Sequence, residues 1–220
     1  MSARRPLAYP LCLLAGTLLI VTAAALHPVM QGNGAEQLLM IAGHDAWRAI
    51  HWAFLFGFVL SITGLAGVAA EHAGTAGEGP ARVGITVAAF AYAAWLFIVA
   101  FMAGSAATLA DDYVAGDPGL AATRAVFVYD TLHPFALAAQ RVGACALGIA
   151  TVLLGWAVVR AGTAPAWLGW LGVAAGLCAA ALAVAFRETT RADQAAYVAP
   201  VLWQLLLAVT LLARRPTAAT

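Results

Sequence analysis

Six apolar runs, each roughly the length that a helix needs to cross a bilayer, constrain this chain more than anything else in it. They cover residues 7–26, 50–70, 83–103, 135–159, 166–186 and 196–213. About 20 consecutive apolar residues span a hydrocarbon core of about 30 Å, and in lipid only helices or closed barrels satisfy every backbone polar group. The expected fold is therefore all-α, a single integral membrane bundle of six transmembrane helices. Composition agrees, with 64% hydrophobic and 10% charged residues and a mean hydropathy of +0.89. A soluble domain carries about 25% charged residues, so this chain has too little polar surface to cover a globule.

All eleven basic residues are Arg, and they form no cluster large enough to track a phosphate backbone. This removes nucleic acid from the partners and leaves the lipid bilayer as the surroundings. Abundant Ala and Gly without Lys suggest a GC-rich bacterial genome. Six spans put both termini on one side. Connections on that side hold Arg4, Arg5, Arg82, Arg160, Arg214 and Arg215, against Arg48, Arg124, Arg187 and Arg191 on the other. The positive-inside rule then expects a bacterial cytoplasmic membrane protein with both termini in the cytoplasm. Arg4-Arg5 before an apolar run has the layout of a signal peptide, but the run exceeds the usual core of about 7–15 residues. The expectation is a retained first helix.

Eight acids fall in the connections expected outside: Glu36, Asp45, Asp111, Asp112, Asp117, Asp130, Glu188 and Asp193. His27, His44, His51 and His133 fall there too, whereas His72 lies alone on the inner side and reads as loop solvation. Few breakers interrupt residues 35–70, so the second helix is expected to start near Glu36 and run straight into the membrane. The fourth is expected to start at the Asp117-Pro118 cap and continue through Pro134. Both would then extend beyond the bilayer on the non-cytoplasmic side. Trp47 and Trp52 sit where an interfacial aromatic belt belongs.

The stretch His44-Asp45-Ala46-Trp47-Arg48-Ala49-Ile50-His51-Trp52 concentrates more chemistry than any other. On an unbroken helix His44, Arg48 and His51 share a face, with the two imidazoles roughly 10 Å apart along the axis. One ion needs ligand atoms about 2 Å away, so this stretch alone cannot chelate, unlike the i, i+4 pair of HExxH. A second helix must contribute. Asp130, His133 and Arg141 share a face of the fourth helix, with His133 at the depth of His51. Two imidazoles from different helices suit the axial positions of a haem, with Arg48 and Arg141 available for its propionates. They equally suit a divalent metal site built from His44, His51, His133, Asp130 and Asp112, or a small anionic ligand. Arg141 lies inside a span, where a central charge costs about 2.5–3.5 kcal/mol. Asp45 and Asp130 are its expected partners, and Gln204 is a further polar group within the membrane.

Other readings stand beside this one. The same residues suit a transporter or an accessory subunit with a membrane-protein partner or a second copy of the chain. Histidines at helix ends can also be simply interfacial, and Arg48 can pair with Asp45 on the surface. No phosphate loop, dinucleotide fingerprint, GxSxG elbow or HExxH is present. Cys12, Cys145 and Cys178 lack metal or disulfide spacing and read as small buried hydrophobes. Gly172-Val173-Ala174-Ala175-Gly176 and the Gly57/Ser61 pair are spaced for close helix packing.

Overall fold

Small residues fill many of the contacts inside this bundle, and many of its large apolar side chains face out. Leu11, Phe56, Phe90, Phe97, Val142 and Leu177 are all exposed, while Ala88, Ala91, Ala144, Ala150, Ala179 and Ala208 are fully buried. This arrangement suits lipid. Because tails are as apolar as Leu, helices associate there through close van der Waals packing rather than expulsion of water.

A computed structural model describes residues 7–116, 119–186 and 191–214, with backbone only for 191–194. Its elements are α1 (Ala8–Leu26), α2 (Gly34–Ala42), α3 (Trp47–Ala70), α4 (Glu78–Ala100), a π-helical segment (Phe101–Ala106), α5 (Ala107–Ala115), α6 (Leu120–Ala161), α7 (Ala166–Ala185) and α8 (Arg191–Ala213). Among the described residues there is no strand. Six stretches are long and apolar enough to cross a membrane, with α4, the π segment and α5 forming one of them. The expected all-α bundle of six spanning helices is what the chain adopts. At 42 residues α6 is about 63 Å long. It continues through Pro134 as anticipated, while the expected cap at Asp117-Pro118 lies outside the described residues. So do Arg4, Arg5, Arg187, Glu188 and Arg215 of the charge argument, together with the side chains of Arg191 and Asp193.

α6 packs between α4 and α7, α1 lies along α3, and α8 closes the bundle against α7 and α1. The close contacts are glycine contacts. A Cβ on Gly148 would meet the Gly176 carbonyl oxygen at 2.7 Å, and one on Gly155 the Gly169 oxygen at 2.6 Å. Across α1 and α3, Gly16 lies on Ser61 and Gly64 on Leu13. Gly172, the other member of the expected GxxxG pair, instead accommodates the Trp203 indole, whose N–H donates to the Leu168 carbonyl at 2.9 Å. Gly162 adopts the left-handed conformation (φ 62°) that ends α6.

One local expectation fails. The second helix does not run unbroken from Glu36. Instead Asn33 caps a separate short helix, its side chain accepting from the Glu36 N–H while Glu36 accepts from the Asn33 N–H. That helix ends at Ala42, with Gly43 as its C-cap, and the next begins at Trp47. The turn between them is held by the Trp47 N–H on the His44 carbonyl at 2.8 Å. His44 and His51 therefore do not share a helix.

Replacing Gly148 by Leu should cost about 1–3 kcal/mol, because overpacked helices must separate. Gly79→Ala, where nothing lies within 4 Å of the added carbon, should be neutral or stabilise by up to about 1 kcal/mol. Reversible unfolding in mixed micelles measures both. Equal stability for the two variants would remove the glycine-contact account.

Candidate functional site

The break at residues 43–46 lets the chain fold His44, Trp47 and His51 around the end of α1. His27, the residue that ends α1, places its ring 5.1 Å from that of His51 and 5.1 Å from that of Trp47. The Trp47 and His51 rings meet at 4.5 Å, tilted by 42°, and Phe54 borders both imidazoles. Trp47 and His51 are almost fully buried. Both paired imidazoles spend the same nitrogen on backbone. Nδ1 of His51 meets the Trp47 carbonyl oxygen at 2.8 Å, and Nδ1 of His27 meets the Pro28 oxygen at 2.7 Å. A carbonyl only accepts, so each Nδ1 carries the proton and each Nε2 keeps its lone pair.

Trp47 anchors this cluster. Its indole N–H donates to the Met102 carbonyl at 2.8 Å. Met102 belongs to the π segment, where the wider turn disturbs the usual ladder and makes carbonyls available to outside donors. Trp47 is therefore a buried strut rather than the interfacial residue expected, whereas Trp52 is half exposed as an interfacial residue should be.

The second set of expected site residues assembles elsewhere. His133 packs on Tyr129 at 4.8 Å and on Phe101 at 6.3 Å. The Tyr129 hydroxyl donates to Gln37 at 2.8 Å, and the Asp130 carboxylate lies against the backbone of Gly34. Among the described residues no ring contact joins His51 to His133. Arg48 pairs with Asp111 at 2.7 Å rather than with Asp45, and both partners are largely exposed. Such a pair is worth at most about 1 kcal/mol. Asp112 is exposed on α5, and Arg141 is half-buried on α6 beside Gln140, whose carbonyl accepts from the Trp95 indole at 2.9 Å. His44 lines a cleft of about 160 Å³ with Asp45, Trp47, Arg48 and Asp111, and its buried Nδ1 has no hydrogen-bond partner among the described residues. Among the described residues no three His, Cys, Asp or Glu side chains are arranged to hold one metal ion.

Two polar sites lie elsewhere. His72 is fully buried instead of solvating a loop. It donates to the Val68 carbonyl at 2.8 Å and accepts from the Thr163 hydroxyl at 3.0 Å, and the Arg214 guanidinium holds the Thr163 carbonyl. Deep in the bundle the Tyr92 hydroxyl donates to Gln204 at 2.8 Å, while among the described residues the buried Gln204 amide nitrogen has no hydrogen-bond partner. The three cysteines are free. Sequence reasoning missed His27, read only as a helix terminator, and the anchoring role of Trp47. A long-range ring contact leaves no local pattern, so the one available signal was the shared outer placement of four histidines.

Burial holds the His27 pKa below 6.5, the hydrogen bond to Pro28 opposes this, and nearby His44 lowers it further. The unfolded chain thus binds a proton at a higher pH than the folded one, so this group's contribution is complete above 6.5 and falls away as pH drops below it. Imidazole NMR should give His27 a midpoint below 6.5, and His27→Gln should flatten the loss of thermal stability between pH 7.5 and 5.5. Trp47→Phe keeps an aromatic ring but removes the indole N–H and some buried volume, leaving the Met102 carbonyl without its donor, at an expected cost of about 1–3 kcal/mol. A variant as stable as the parent in the same micelle assay would deny Trp47 its anchoring role.

No curated protein and no protein of known structure matches the chain. One family does, described as "Domain of unknown function (DUF4386)", over residues 7–214. That match takes in all six spanning helices and every residue of the histidine cluster, and the chain belongs to this family.

Proposed function

We propose that this multi-pass membrane protein binds a transition-metal ion at its histidine-bearing end, through Nε2 of His27 and His51. The paired imidazoles carry the reading. Each gives Nδ1–H to a backbone carbonyl, the outer hydrogen bond that fixes the tautomer and orientation of metal-binding histidines. Two nitrogens about 2.0–2.1 Å from a tetrahedral ion put their ring centroids about 5 Å apart, and here they are 5.1 Å apart. Imidazole suits zinc, copper, nickel or iron. Two protein ligands leave coordination positions for solvent, for a substrate, or for His44 if its turn moves. An incomplete protein shell is what a site that exchanges or works on its ligand needs, whereas a structural site is closed.

A haem between His51 and His133 has less support, because the two rings have separate aromatic partners. The clefts of about 160 and 210 Å³ are also smaller than the roughly 300–1,000 Å³ of sites for larger ligands. A small anion at Arg48 would have to displace Asp111. We further propose a bacterial cytoplasmic membrane with both termini in the cytoplasm, from the distribution of Arg between the connections. The histidine-bearing end then faces outward.

Chelator-treated protein dialysed against zinc or copper should retain about one ion per chain by elemental analysis. His27→Ala and His51→Ala should each weaken binding at least tenfold, about 1.4 kcal/mol, while His133→Ala should leave it unchanged. Absence of stoichiometric metal, or binding indifferent to both substitutions, would reject the site.

A further inference from the structure

The tryptophans of this chain divide by what their indole N–H groups do. Trp47, Trp95 and Trp203 are buried, and each donates to a main-chain carbonyl. Trp156, Trp167 and Trp170 are 36%, 58% and 53% exposed, and they make no hydrogen bond among the described residues. All three lie on the hairpin of α6 and α7, at the end of the bundle away from the histidine cluster. There the two helices touch at backbone distance, a Cβ on Gly155 meeting the Gly169 oxygen at 2.6 Å. The rings of Trp156 and Trp170 meet just beside that contact, 5.6 Å apart and tilted by 62°.

Arg160, exposed in the last turn of α6, holds its guanidinium 5.9 Å from the centre of the Trp156 ring. Its two cationic neighbours at this end are occupied. Arg82 faces Glu78 at 3.7 Å, and Arg214 donates to the Thr163 carbonyl. Among the described residues Arg160 has neither a carboxylate nor a hydrogen-bond acceptor. Because α6 and α7 both cross the membrane, their short connecting turn stands at a bilayer surface, where lipid headgroups cover the protein. A guanidinium with one face on an aromatic ring keeps its in-plane fork of donors, which matches a phosphate. The indoles beside it are placed for the boundary between acyl chains and headgroups. A zwitterionic headgroup brings its own ammonium toward the guanidinium, whereas an anionic one balances the charge. We propose that this face of the α6–α7 hairpin binds an anionic phospholipid, its phosphate on Arg160 and its glycerol backbone against Trp156 and Trp170. The site is independent of the metal reading.

Native mass spectrometry of the full-length protein, released from micelles titrated with dioleoyl phosphatidylglycerol or dioleoyl phosphatidylcholine, tests it. The first phosphatidylglycerol should bind at least about fivefold more tightly than phosphatidylcholine of the same chains, the value of one interfacial charge. Arg160→Gln should remove that preference and leave thermal stability unchanged. Arg82→Gln, which deletes an equal charge at the same end, should preserve it. Glycerol phosphate at millimolar concentration should not displace the lipid. Equal affinity for the two lipids would overturn the proposal. So would equal losses in the two arginine variants, which would mean general attraction to a positive end, or displacement by glycerol phosphate, which would mean a site for soluble phosphate.

Discussion

In a bilayer the hydrophobic effect pushes side chains out of water but does little to press one helix against another. What holds this bundle together is therefore contact at backbone distance, which requires that at least one partner have no side chain. Gly148 against Gly176, Gly155 against Gly169 and Gly16 against Ser61 set how α6 meets α7 and how α1 meets α3. Once those axes are fixed, the remaining groups fall into place around them. Trp203 fits over Gly172 and Trp95 lies against Gly143, each indole reaching a carbonyl on a neighbouring helix. The position of His27 over α3 follows from the same α1–α3 approach, which makes the histidine cluster a product of helix packing several turns away.

The spans were legible because they depend on local composition: a run that is apolar over about 20 residues has one stable state in lipid. The break at residues 43–46 was harder to see. Nothing between Ala35 and Trp47 forbids helix except Gly43, a mild breaker, and the turn exists because Trp47 is tied across the bundle to Met102. Tertiary contact overrode a permissive local sequence. The π segment has the same character, since Phe101-Met102-Ala103-Gly104-Ser105-Ala106 contains no residue that excludes ordinary helix.

The candidate site divides along the same line. That the histidines and acids gather at one end followed from counting residues between spans. Which histidines meet did not, because it depends on the rotation of each helix about its axis. His51 was set opposite His133 by matching depth alone, yet its ring faces α1 and finds His27. Arg48 likewise faces α5, where Asp111 lies, and not its sequence neighbour Asp45. His72 shows the converse error: a residue at a helix end, next to Glu71 and before a Gly-rich turn, is buried because the α6–α7 turn folds over it and supplies Thr163.

The π segment acts as an insertion within a continuous helical path. Relative to regular helix it adds about one residue, which turns every later side chain by about 100° around the axis. The face that α5 shows to Arg48 and to the turn after α2 is therefore set upstream, at Phe101–Ala106. In an uninterrupted register Asp111 would no longer point at Arg48. Loss of a single residue there would thus rewrite the histidine-bearing end while leaving the rest of the bundle intact, which makes this short segment the seam between a packed scaffold and a separately adjustable site.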